Sequence, residues 1–297
     1  MILSEMLKKI DCPANLLRDG SFSVLEQCTR IRAPQALTYL ENGKYLGTLE
    51  HPDISCVICT PELADQIPSH IGGVAVTASP KLLFFQLHNM LVAQREKVPT
   101  KIDPSAEISP QAYIAPYDVV IGPGVQIQPF AVILEGTTLS GKNLIGAGSV
   151  IGCQNFDVLQ DGSTQFMAKN GGRVYLAEGV DISSGSHVEC GTLEFDVTYL
   201  DAYVKLDNHV LIGHGSRIGR FTMIAGRSVI SGNCSIGENV FLGVGAVISN
   251  RITIGDGARV SLGSVVTKDV PAGQTVTGNF AVDHRKFLSN LRKSLEE

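Results

Sequence analysis

The chain has no tryptophan, and only 6% of its residues are aromatic. A broad core filled by rings is therefore not expected, whereas a narrow interior of valine, isoleucine and leucine is. No stretch approaches the roughly 20 apolar residues that a membrane-spanning helix needs, so no span is expected. The opening segment, MILSEMLKKIDCP, lacks both a long apolar run and a small-residue cleavage site. It reads as a short helix rather than a signal peptide. The formal net charge of −5 carries no basic excess, which argues against a general nucleic-acid binder. The 7 cysteines are odd in number and scattered, which suggests free thiols in a reducing, cytoplasmic compartment. Cys56 and Cys59 form one CxxC inside the apolar run ISCVIC, and no second pair follows at zinc-ribbon spacing. A buried structural role is expected for them rather than a metal site.

What the chain does have is a period of six. Leu200, Leu206, Ile212, Ile218, Ile224, Ile230, Ile236, Leu242, Ile248, Ile254, Val260 and Val266 follow one another without a break. Neither an α-helix nor an ordinary strand keeps that interval. It marks a coil in which each of three sides contributes one inward anchor. The same phase starts at Ile102, Ile108 and Ile114, shifts by one residue, and continues from Ile121 through Ile151. Small residues recur four places after an anchor, at Ala106, Ala112, Val125, Ala131 and Ser149, where a triangular corner has little room. Glycine, asparagine and aspartate between anchors would supply the positive φ angles that corners demand.

These patterns predict a mainly β protein. Residues 1–98 form an α/β domain in which KLLFFQLHNMLVAQR is helical, with Leu83, Leu87 and Leu91 on one face. Residues 99–280 form a parallel β-helix of roughly eight coils of 18 residues. Residues 281–297 form a short helix, with a basic face of Arg285, Lys286, Arg292 and Lys293, of the kind that caps an open sheet edge. Residues 152–173 lack hexad phase, and one anchor is skipped at Glu194. A segment that leaves and rejoins a regular solenoid is a candidate binding loop.

His214 is the most informative polar residue. It sits at a corner between Gly213 and Gly215, and Gly232 stands one coil of 18 later. Stacking then places the Gly232 N–H beside an imidazole able to take a proton near neutral pH. That pair is minimal equipment for acyl transfer: His214 as base to an attacking amine or hydroxyl, Gly232 as oxyanion donor. A solvated corner histidine is the plain alternative. A zinc hydratase built from His187, His209 and His214 is a third reading, weakened because His187 lies 22 and 27 residues before the others.

The segments ALTYLENGKY and LDNHVLIGH, with ISGNCSIG behind them, resemble the left-handed β-helix acyltransferases, most of all those acting on UDP-linked glucosamine in lipid A biosynthesis. The resemblance implies the left hand of the coil, against the usual crossover rule. It implies a homotrimer with active sites between subunits. It makes residues 1–98 a uridine-binding domain in which Tyr39 and Tyr45 hold the uracil. It places Asp207 and Asn208 at the sugar, His214 as base and Gly232 at the oxyanion, with Phe156 and its loop closing over substrate. No permanently bound cofactor is implied. The donor is an acyl-phosphopantetheine, carried by acyl carrier protein or by coenzyme A. Two departures stand out. Arg251 occupies the place of a second active-site histidine associated with the donor, which suggests Arg251 contacts the donor's phosphates. The C-terminal helix is shorter than usual, and GSVVTKDVPAGQTVTGNFA resembles the end of acetyl-CoA-dependent sugar acetyltransferases. An acetyl-CoA-dependent enzyme and a non-catalytic scaffold therefore remain as alternatives.

Overall fold

A computed structural model describes residues 1–10, 13–162, 164–278 and 282–296. Cys12 and residues 279–281 lie outside them. The dominant element is a left-handed parallel β-helix whose three faces are sheets of 9, 8 and 8 short strands. Each regular strand is two residues long and ends on a hexad anchor. From Leu200 to Val266 the step between paired strands is 18: Ile212 pairs with Ile230, and Ile230 with Ile248. The twelve anchors from Leu200 to Val266 are all buried in one continuous cluster. Parallel strands need both N–H and C=O partners, and each coil finds them on the coils above and below.

The residue four places after an anchor is often small or hydroxylated, as expected, though Asn143 and Ile252 also take this place. A hydroxyl here also ties coils together. Ser216 Oγ donates to Ser231 C=O at 3.0 Å and accepts from Cys234 N–H at 3.1 Å. Thr222 repeats this with Gly237 and Val240. The corner positions with positive φ differ from expectation. They recur every six residues, but Tyr203, His209, Phe221, Arg227 and Arg251 occupy them as well as glycine and asparagine. Stacking offsets part of the cost: the Tyr203 and Phe221 rings lie 5.3 Å apart and nearly parallel.

All the irregularity leaves from one corner. Ile151 pairs with Val188, because residues 152–173 loop out between them. Val188 pairs with Ile212, a step of 24, because six extra residues turn back around Gly191–Asp196. Coil arithmetic by 18 therefore fails across this region. His187 is in register with Leu211, not with His209 or His214.

Residues 15–76 contribute a five-stranded sheet in the order Asn15–Arg18, Gly73–Val76, Ile54–Cys59, Ala36–Leu40, Val24–Leu25, with only the first pair antiparallel. Cys56 and Cys59 are fully buried and join clusters on opposite faces of this sheet. The helix Pro80–Gln94 covers one face. It buries Leu82, Phe84 and Phe85 in addition to Leu83 and Leu87, so its apolar surface is not one stripe. The reason is that the excursion 152–173 folds as a hairpin, Val158–Asp161 with Thr164–Met167, against the helix. Asn89 clamps that hairpin through Met167 C=O and Lys169 N–H, and His88 reaches Lys169 C=O at 2.8 Å.

The helix His284–Glu296 does not cap the last coil among the described residues. Phe287, Leu288 and Leu291 are all exposed, so its apolar side does not rest on the last coil. No described helix is long and apolar enough to cross a membrane. An anchor substitution measures the coil's packing. Ile230→Ala, at 0% exposure, is expected to cost about 2–5 kcal/mol, read as a lowered urea midpoint.

Candidate active site

His214 stands two residues after the strand Leu211–Ile212, at the corner from which both excursions below it depart. Its backbone is pinned from two sides. Its N–H donates to Glu189 Oε2 at 3.0 Å, and its C=O accepts from Asn233 N–H at 2.7 Å. Gly215 N–H donates to Thr198 Oγ1 at 2.9 Å. The imidazole lies against Gly232: a methyl group added to Gly232 would come within 2.5 Å of Nε2. Gly213 is equally constrained, since its added methyl would meet the Gly232 nitrogen at 2.5 Å. The two glycines let the corners of successive coils close up. Among the described residues, Gly232 N–H has no acceptor. A half-buried imidazole beside an uncommitted backbone donor is what base-assisted acyl transfer uses.

The surrounding pocket, about 400 Å³, lies between this corner and the N-terminal part of the chain. Gln27, Thr29, Arg30 and Arg32 line one side, and Asp157, Thr192, Asp196, His214, Asn233 and Arg251 the others. An ion network braces it. Arg32 donates to Glu26 Oε2 at 2.7 Å and to Phe195 C=O at 2.7 Å, and pairs with Asp196 at 2.9 Å. Glu26 is 0% exposed and its other carboxylate oxygen has no partner among the described residues, so burial pushes its pKa up and Arg32 only partly offsets this. Arg30 lies 3.6 Å from Asp196 and donates to Asn233 Oδ1 at 3.2 Å. Sequence reading found none of Glu26, Arg30, Arg32, Asp157 or Asp196. They carry no hexad phase, and about 200 residues separate Arg30 from Asn233. Asp196→Ala removes one of the two carboxylates that hold Arg32 and the one that faces Arg30, and should destabilise by about 1–3 kcal/mol, checked by denaturant melts.

The remaining expectations divide. Arg251 lies one coil above Asn233 and lines the His214 pocket. Tyr39 and Tyr45 do not stack on each other. Tyr39 packs on Phe84 at 5.0 Å, and Tyr45 joins the cluster on the opposite sheet face that includes Cys28. Burial raises the Tyr39 pKa, and Glu41, Cys28, Asp157 and Arg251 all act on its hydroxyl. Tyr39 itself is not among the residues that line the charged pocket. Asp207 and Asn208 are not brought to His214 within one chain. They occupy the preceding corner, where Asp207 accepts from Asn208 N–H at 2.7 Å and Gly226 N–H at 2.9 Å. Phe156 does not close over the pocket. The loop is held on the helix Pro80–Gln94, and Phe156 is 87% exposed.

The three histidines are dispersed. His187 is on a strand, His209 stacks over Gly185 at the preceding corner, and His214 over Gly232. No cluster of metal-ligating side chains occurs among the described residues. Thiol nucleophiles are equally unsupported here. Burial pushes Cys153 up to about 11 and raises Cys234, so neither is a thiolate near neutral pH.

No protein-family model matches the chain. Among characterised proteins it is 28% identical over 235 residues to a UDP-3-O-acylglucosamine N-acyltransferase of Helicobacter hepaticus, covering 71% of this chain and 70% of that one. The same-named protein of Coxiella burnetii is 28% identical over 232 residues, 67% of this chain and 66% of its own. The chain is thus similar to these N-acyltransferases at a diverged level. It matches about two thirds of their length. A solved LpxA of Bacteroides fragilis, a UDP-N-acetylglucosamine acyltransferase, is 21% identical over 65% of this chain and 77% of that one, with a TM-score of 0.47.

Proposed function

We propose that the protein is an N-acyltransferase. It moves an acyl group from a phosphopantetheine thioester, favouring acyl carrier protein over coenzyme A, to the amine of a UDP-linked amino sugar. The observation that carries this is the His214 imidazole packed on Gly232, whose N–H is uncommitted. His214 takes the proton from the attacking amine as the C–N bond forms. The Gly232 N–H receives the oxyanion of the tetrahedral intermediate, which collapses with loss of the pantetheine thiolate. No enzyme nucleophile takes part.

Residues 1–98 bind the uridine, with Tyr39 and Tyr45 as its aromatic contacts. The enzyme acts as a cytoplasmic homotrimer. Asp207 and Asn208 then serve the sugar from a neighbouring protomer, because their own corner does not reach His214. Phe156, exposed beside the pocket residue Asp157, contributes in the same assembled site.

Mass spectrometry of products from a panel of donors and UDP-amino sugars tests the reading. An N-acylated product formed from acyl carrier protein thioesters supports it. Acetylation from acetyl-CoA alone would move the donor to coenzyme A. No product and no binding of any UDP-sugar would point to a non-catalytic scaffold.

A further inference from the structure

The charged groups around His214 are unequally committed. Arg32 is held by Glu26, Asp196 and the Phe195 carbonyl, so it braces the wall. Arg30 is held loosely: it is 3.6 Å from Asp196, its side chain is 40% exposed, and its other contact is the neutral Asn233 amide. Burial lowers its pKa, Arg32 adds to this, and Asp196 offsets it only in part. Arg251 is exposed, and its guanidinium makes no hydrogen bond or ion pair with the described residues. Stacking by one coil sets Arg251 above Asn233, the residue that Arg30 grips. Two under-partnered guanidinium groups thus converge beside the base, and guanidinium forks match phosphate and carboxylate oxygens.

We infer that this pocket is an anion site, in which Arg30 and Arg251 hold a phosphate or carboxylate group carried by the acyl acceptor. This deepens the reading above, on which only the carrier of the anion depends. It also moves Arg251 from the donor to the acceptor. Asp157 lines the same pocket with its carboxylate unpaired among the described residues, so the site suits a ligand bearing both an anion and an amine. Two sources fit: the diphosphate of a nucleotide sugar, or a carboxylate on the sugar ring.

Calorimetry on the full chain separates them. The probes are inorganic diphosphate, uridine, UDP, a UDP-aminohexose and the matching UDP-aminohexuronate. The variants are Arg30→Gln and Arg251→Asn; asparagine tolerates the φ of 62° at that corner. Arg220→Gln, at another corner, is the control. If the diphosphate is the anion, both variants weaken UDP and inorganic diphosphate by about tenfold or more and leave uridine unchanged. If a sugar carboxylate is the anion, the loss appears only with the uronate. Either result upholds the site. Diphosphate bound by the wild type and lost in the variants, with no uridine binding, upholds the site and sinks the uridine reading. Equal binding of every anion by wild type and variants, or no anion binding by the wild type, overturns the proposal.

Discussion

Replacing His214 by alanine is expected to lower kcat/KM by about 10²–10⁴-fold while leaving the fold intact, the range for loss of a positioned general base. The fold survives because the corner is held by its backbone. His214 N–H to Glu189 and Asn233 N–H to His214 C=O do not involve the ring. The imidazole is also half-buried at the surface, outside the column of anchors, so its loss opens no cavity in the core. Steady-state kinetics, circular dichroism and sedimentation check the two halves separately. Activity within tenfold of wild type would remove His214 from the mechanism.

Gly232→Ala is expected to lower turnover by about 10²-fold or more, since a displacement of an ångström at a reacting group has that effect. The added methyl would come within 2.5 Å of His214 Nε2 and 2.8 Å of Cδ2, so the ring must leave its place. The side chain can move and the coil need not, so the cost in stability should be modest, about 1–3 kcal/mol. The double variant tells displacement from general damage. With His214 already alanine, the methyl has no ring to meet, and Gly232→Ala should then cost almost no further stability. Retained stability coupling with unchanged turnover in the single variant would show the contact to be packing without catalytic effect.

How much of this was legible depended on whether a residue shared the period. The anchors from Leu200 to Val266 are buried as the spacing requires, and the same count puts Gly232 on His214. Below residue 200 the count misleads, because the coil from Val188 to Ile212 has 24 residues. Spacing by 18 is therefore no measure of how far His187 lies from His209 and His214. The geometry separates His187 from the others through the actual pairing with Leu211. Corner chemistry was only half visible. Glycine and asparagine announce positive φ, but Tyr203 and Phe221 reach it through stacking that composition does not show. Arg30 and Arg32 were invisible, since nothing local to CTRIRAP reveals that it folds onto a corner near residue 233. Tyr39 and Tyr45 were visible as a pair six apart, yet strand alternation and the turn Gly43–Glu50 send them to different clusters.

The loop 152–173, the six-residue turn before Asp196, His214, Gly232 and Arg251 all project from the same corner column. The other two columns keep their rhythm undisturbed through that region. This separates innovation from maintenance. Changes that reshape chemistry can accumulate along one vertical seam, while the remaining edges go on supplying register to every coil. Lengthening or shortening the seam by whole hexads, as the 24-residue coil does, alters reach without altering phase. A protein organised this way can acquire a new acceptor by editing one seam and leaving its scaffold unchanged.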